Sequence, residues 1–227
     1  MKIVGHRGAA GTEPENTIRS IKKALACKVY AVEFDVHLTK DDHFVLSHDA
    51  DLLRISRDKN SIRSLTLKQI QDIETLSGEP IPTLKQVLKT IGKKAKIFIE
   101  LKDDFGARLL ADVVESHADL DISITTFMHK QAAILIDLLP NIPVFVAENQ
   151  NPFEILAVAK SLGAAGVTLN FWLLNPLTYW RLRRRNRSIM VYTVNSRFYA
   201  KLISILYPNT LVCTNFPDYF SAKNQTK

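Results

Sequence analysis

Eight short runs rich in β-branched residues recur along the 227-residue chain, and helical segments separate them. The runs lie at 2–4, 31–38, 96–102, 122–127, 143–149, 166–171, 188–195 and 210–215. Between them fall helical stretches at 14–27, 83–91, 105–117, up to 139, 153–162, from 176, and up to about 206. A parallel strand pair needs a crossover of a dozen or more residues, and these spacings supply one each time. A further run at 44–47 follows the second strand too closely for a crossover and is expected to pair with it as an antiparallel hairpin. Repeated β-α units of this number and total length predict an α/β (β/α)8 TIM barrel with a small insertion after the second barrel strand. The reading is one domain over 1–227, with an irregular insertion at about 50–82 and a flexible polar tail at 221–227. A doubly wound open sheet is the competing arrangement, but no G-x-G-x-x-G or Walker sequence follows the first strand.

Within the irregular stretch, Ser64 or Thr66 is placed to cap a short helix, and Gly92 to stop the helix after Thr83. Cys27 and Cys213 stand far apart without a C-x-x-C partner and read as small core residues. The N-terminus runs straight into a strand, without the apolar segment of a signal peptide. No apolar run reaches the roughly 18 residues of a membrane span, so a cytoplasmic location is the expectation. The formal charge of +7 admits nucleic acid, an anionic membrane or an anionic substrate. Zinc-finger spacing and aromatic-basic interleaving of the RNA-binding kind are both missing, which disfavours nucleic acid. Peripheral membrane contact stays open. The dense basic run Arg181 to Arg187 reads as a solvated helix end. Oligomeric state is not legible.

Functional groups of a parallel barrel gather at the C-terminal ends of its strands, and the polar residues of this chain fall there repeatedly. His6 and Arg7 follow the first strand, Glu33 and Asp35 lie on the second, and His48 and Asp49 end the hairpin strand. Glu100 and Lys102 end the next, and Asn195 and Asn215 end the last two. Side chains alternate along a strand, so Glu33 and Asp35 share a face, as do Glu100 and Lys102. Two acids pointing inward repel each other and lose hydration; a bound cation removes both costs. A carboxylate set suits a hard divalent cation, Mg²⁺ or Ca²⁺. Arg7 and Lys102 beside it add a phosphate site, and His6 and His48 offer an acid and a base near neutral pH. This equipment fits cleavage of a P–O bond with an alcohol leaving group.

Taken in order, "HRG" at 6–8, "PENT" at 14–17, "EFD" at 33–35, "HD" at 48–49, "ELK" at 100–102 and "YTVN" at 192–195 resemble the glycerophosphodiester phosphodiesterases across nearly the whole chain. The resemblance implies a barrel, a divalent metal held by Glu33, Asp35 and Glu100, and catalysis by His6 and His48, with Arg7 and Lys102 on the phosphate. It implies hydrolysis of a small-molecule glycerophosphodiester to glycerol 3-phosphate and an alcohol such as choline. In related barrels the glycerol 2-hydroxyl attacks phosphorus first, giving a cyclic intermediate; which histidine serves as base is not fixed by the sequence. It also implies that the 50–82 stretch is the insertion that members carry after "HD". One departure stands out: the last strand ends Thr214-Asn215, where the family pattern has Thr-Asp.

Several other residues divide between structural and functional readings. Asn16 is read as a device of the helix start. His37, His43, His117 and His129 are read as surface or loop residues. Phe171 to Leu174 forms an apolar run at a strand end, either core packing or a wall for substrate, with Trp172 the candidate contact for a polyol or choline head. Two other functions compete: a lysophospholipase D-like or sphingomyelinase D-like enzyme on a lipid substrate, and a non-catalytic barrel that binds phosphodiesters.

Overall fold

The computed structural model describes residues 1–221; the expectation of a flexible tail falls, apart from Ser221, outside them. Nine strands form: β1 (Lys2–Gly5), β2 (Ala31–Leu38), β3 (Phe44–Leu46), β4 (Lys96–Leu101), β5 (Ile122–Thr126), β6 (Val144–Glu148), β7 (Gly166–Asn170), β8 (Ser188–Tyr192) and β9 (Leu211–Thr214). The helices are α1 (Ile18–Ala26), α2 (Leu53–Ser56), α3 (Leu67–Gln71), α4 (Leu84–Ile91), α5 (Ala107–Glu115), α6 (His129–Leu138), α7 (Pro152–Leu162), α8 (Pro176–Arg183) and α9 (Arg197–Leu206). Eight strands pair in parallel around a closed ring, because β1 bonds both β2 and β9. The ninth, β3, pairs antiparallel with β2 outside the ring. This is a TIM barrel, and closure rules out the open sheet.

Alternation along the strands divides the core in two. On β2, Val32, Phe34 and Val36 pack outward into the large cluster shared with the helices, whereas Ala31 faces inward with Val4, Phe98, Phe145, Met190, Leu211 and Cys213. Each fully buried aliphatic or aromatic side chain contributes roughly 1.5–3 kcal/mol. The outward trio anchors β2 against the helices, and the alternate positions of the same strand place Glu33 and Asp35 on its inner face.

Most predicted elements form, with shorter ends. The helix read over 14–27 begins at Ile18, because Thr17 accepts the amide of Ser20 as N-cap and leaves Pro14 to Asn16 in the preceding loop. Thr66, not Ser64, caps α3, with a reciprocal bond from Gln69. Gly92 ends α4 at φ 51. The 50–82 stretch is less irregular than its sequence: Leu52, Ile62, Ile70 and Ile81 bury with Val45 of β3 in a small core of their own. Of the cysteines, Cys213 is a core residue, while Cys27 is only half-buried at the end of α1. Among the described residues no helix is long and apolar enough to cross a membrane.

Candidate active site

Three carboxylates meet inside the C-terminal mouth of the barrel. Glu33 and Asp35 come from β2 by alternation, and Glu100 lies directly across the β2–β4 ladder from Asp35. One oxygen of each falls within 4.8 Å of the other two. All three are buried. Burial and the Asp35 charge push Glu33 up to about 8 and Glu100 up to about 7. Glu33 Oε2 accepts the Arg7 backbone N–H at 3.0 Å. Among the described residues its Oε1 is buried without a hydrogen-bond partner. A converging, desolvated oxygen set with an orphaned acceptor fits a hard divalent cation, so the residues present suit the metal that the sequence implies.

Cations flank this set. Arg7 Nε stands 3.1 Å from Asp35 Oδ2, and Lys102 Nζ lies 2.8 Å from Glu100 Oε1 and 3.7 Å from Asp35 Oδ1. Burial alone would lower the Lys102 pKa, but Glu100 and Asp35 outweigh it and hold the ammonium charged. Arg7 owes its position to backbone geometry. Arg7 and Gly8 both take positive φ, and a Cβ on Gly8 would come within 2.3 Å of Ser20 Oγ on α1. Only glycine permits that approach. Ser20 Oγ then accepts the Ala9 N–H and donates to the Arg7 carbonyl, both at 2.7 Å, tying the loop to the helix.

Asn16 is not a helix-start device. Its Nδ2 donates to Asp35 Oδ2 at 2.9 Å and its Oδ1 accepts the Asp35 N–H at 3.2 Å, so it braces a carboxylate. Thr17 had already taken the cap.

Both histidines line the same cavity of about 550 Å³ with Arg7, Glu33, Glu100 and Lys102. Each is held through Nδ1 by a side-chain oxygen: His6 by Asn215 Oδ1 at 2.6 Å and His48 by Asp49 Oδ1 at 2.7 Å. That contact places a proton on Nδ1 and leaves Nε2 for chemistry. Burial and the neighbouring Arg7 lower the His6 pKa; Asn215 and more distant carboxylates only partly oppose them. His48 is half-exposed, and burial lowers it as well, against the bond from Asp49. Asn195 takes no part in the cavity wall. Its Oδ1 accepts the backbone N–H of Asn215 at 3.0 Å and thereby holds the residue that holds His6. An Asn215→Asp substitution is expected to raise the His6 pKa by placing a carboxylate on Nδ1. NMR titration of the ring measures it, and an unchanged or lowered value would contradict the arrangement.

Three contributors escaped the sequence reading. His37 is buried, not a surface residue: Nδ1 contacts Asp103 Oδ1 at 2.7 Å and Nε2 the backbone carbonyl of His48 at 3.2 Å. The alternation that pairs Glu33 with Asp35 continues to His37 and was the available signal. Arg54 of α2 donates to Asp49 Oδ2 at 2.6 Å and to Glu15 Oε1 at 2.7 Å, and Glu15 also accepts from Arg7. The insertion thus couples the support of His48 to that of Arg7, through contacts that no spacing predicts.

Trp172 stands outside the cavity wall. β7 ends at Asn170, whose Oδ1 accepts the Trp172 N–H at 3.2 Å and opens a 3₁₀ turn. The indole turns outward, 68% exposed, 4.3 Å from the Phe171 ring and 5.4 Å from that of Tyr199. Within the run, Leu174 packs in the core and Phe171 is half-buried against it.

Comparison with known proteins agrees with this fold. The model of the glycerophosphoryl diester phosphodiesterase family matches residues 6–219. A glycerophosphodiester phosphodiesterase of Bacillus subtilis is 28% identical over 96% of this chain and 84% of its own length. The crystal structure of a glycerophosphodiester phosphodiesterase from Parabacteroides distasonis superposes with a TM-score of 0.82 at 26% identity, covering 99% of this chain and 95% of that one. An Oleispira antarctica phosphodiesterase, solved with its product sn-glycerol-3-phosphate, shares the fold at a TM-score of 0.89 and 21% identity, over 100% of this chain and 96% of the other. The chain belongs to the glycerophosphoryl diester phosphodiesterase family, whose members are phosphoric diester hydrolases.

Proposed function

We propose that this protein hydrolyses glycerophosphodiesters to glycerol 3-phosphate and an alcohol, with a divalent cation, Mg²⁺ or Ca²⁺, held by Glu33, Asp35 and Glu100. The observation that carries the reading is the meeting of that carboxylate set with two Nδ1-anchored histidines and two cations at one cavity. When bound, the cation supplies Lewis-acid stabilisation of charge on the phosphoryl oxygens. Arg7 and Lys102 add fixed positive charge on the same group.

His6 is assigned as the base. Its burial keeps the ring neutral near pH 7, and Asn215 on Nδ1 leaves Nε2 free to take the proton of an attacking hydroxyl. His48 is assigned as the acid. It lies nearer solvent, and its Nδ1 contact with Asp49 orients the ring with Nε2 free to deliver a proton to the leaving alcohol oxygen. If the glycerol hydroxyl attacks first, water then opens the cyclic phosphate with the two roles exchanged. Retention of both histidines and all three acids argues against a purely binding barrel.

A second reading keeps the chemistry and changes the substrate: a lysophospholipase D-like action, favoured by the aromatic cluster of Phe171, Trp172 and Tyr199 at the rim. Assay of glycerophosphocholine against lysophosphatidylcholine separates the two. Turnover of the soluble diester is expected, lost with EDTA and restored by Mg²⁺ or Ca²⁺. Turnover of the lysolipid alone would overturn the substrate assignment, and turnover indifferent to EDTA would overturn the metal.

A further inference from the structure

Charge is distributed very unevenly over this barrel. Residues 155–217 contain no Asp or Glu and eight Lys or Arg, so this segment carries the whole formal surplus of +7 and the rest of the chain is close to neutral. The segment builds one flank of the barrel, from α7 to β9.

The same flank exposes apolar surface that the fold does not require. On α9, Ala200 and Ile203 face the core, yet Phe198, Leu202, Ile205 and Leu206, at helical spacings of three and four, face solvent. A helix that is apolar on both sides is ordinarily covered on both. Trp180 on α8 and Trp172 after β7 are exposed as well, and Trp172, Trp180, Phe198, Ile205 and Leu206 each show more than half their surface. Ring contacts join these residues at both ends of α9: Trp172 and Phe198 each meet Tyr199, and Trp180 meets Tyr179, which in turn meets Tyr207. Exposed cations alternate with the apolar residues, Arg197 and Lys201 on α9 and Arg181, Arg184 and Arg185 at the end of α8.

We propose that the α8–α9 flank docks on an anionic lipid bilayer, its aromatic and aliphatic side chains entering the interface while the flanking cations meet lipid phosphates. Charge complementarity chooses this occupant. A second copy of the chain would set arginine against arginine across an isologous contact, with no acid in the segment to relieve it. Tryptophan and arginine interleaved on one face suit the headgroup boundary. The docked face also adjoins the cavity mouth, because Asn170 both lines the cavity and caps the turn that presents Trp172. Docking would bring the mouth to the surface where phosphodiester headgroups are found. The binding itself does not depend on the catalytic reading.

Co-sedimentation of the full chain with vesicles of phosphatidylcholine alone, or mixed with phosphatidylglycerol, tests this. Binding to the mixed vesicles is expected, with weak binding to neutral ones and release at high salt. Replacing Arg181, Arg184 and Arg185 together by Gln is expected to weaken partition on the order of 100-fold, at roughly fivefold for each cation. Phe198→Ser with Ile205→Ser is expected to weaken it too, with melting temperature and turnover of a water-soluble diester unchanged. No binding to anionic vesicles would overturn the proposal, and so would equal binding to neutral ones. A solution dimer dissociated by the Phe198 and Ile205 changes would assign the face to a second copy instead, and tighter binding to an RNA oligonucleotide than to the vesicles would assign it to nucleic acid.

Discussion

His6→Ala is expected to lower kcat/KM for a glycerophosphodiester by about 10²- to 10⁴-fold, the usual contribution of a positioned acid or base. His48→Ala is expected to fall in the same range, and the double variant little below the worse single one, because residues acting as a unit are not additive. The pH profile distinguishes the two. A base must be deprotonated to work, so the rate rises with pH through the His6 pKa, which burial and Arg7 place below the ordinary 6.5. His6→Ala removes that acid limb, and Asn215→Asp moves it to higher pH. An acid limb that survives in His6→Ala would transfer the role of base to another group. Neither substitution empties the core, because both rings stand in the cavity wall; unchanged melting temperatures check this.

Glu33→Gln is expected to weaken divalent-cation binding by more than about 100-fold, beyond the usual cost of losing an outer-shell partner, and turnover with it. Calorimetric titration with Mg²⁺ or Ca²⁺ measures the first effect. The same change is expected to stabilise the metal-free protein at alkaline pH. Burial and Asp35 raise Glu33 from 4.5 to about 8 in the folded protein. The folded state therefore binds more protons than the unfolded chain between those values. Its stabilising contribution is complete below about 4.5 and is lost as pH rises through about 8. The loss is on the order of 5 kcal/mol, at about 1.4 kcal/mol for each unit. Glutamine keeps an acceptor for the Arg7 N–H but carries no charge. The metal-free melting temperature should fall from pH 6 to pH 9 in the wild type, less steeply in Glu33→Gln, and less steeply when the cation is present. Equal pH dependence in all three would show that Glu33 is not held in this way. The substitution trades function for stability, as expected where like charges are held together for a ligand.

Much of this site was legible before any fold was seen. Alternation alone put Glu33 beside Asp35, and the barrel repeat put Glu100 at the same level. What alternation cannot supply is register, and it is the ladder that sets Glu100 directly opposite Asp35. The misreadings share one cause. Asn16 and His37 bond partners 19 and 66 positions away, and Arg54 reaches Glu15 across 39. No local period encodes such a separation. Trp172 differs: its strand-end position places it near the mouth, and the cap from Asn170 and the ring of Tyr199 set the indole outward at the rim.

By itself, the sequence determined the repeat of eight strands, the inward face of β2 and the identity of the acids, histidines and cations, because hydrophobic period and side-chain alternation are local properties of the chain. Tertiary structure alone decided closure of the ring through β1 and β9, convergence of three carboxylates within 4.8 Å, and the oxygen of Asn215 that holds His6. These depend on distances between segments far apart in the chain. Such distances exist only once the buried apolar faces have fixed every strand against its neighbours.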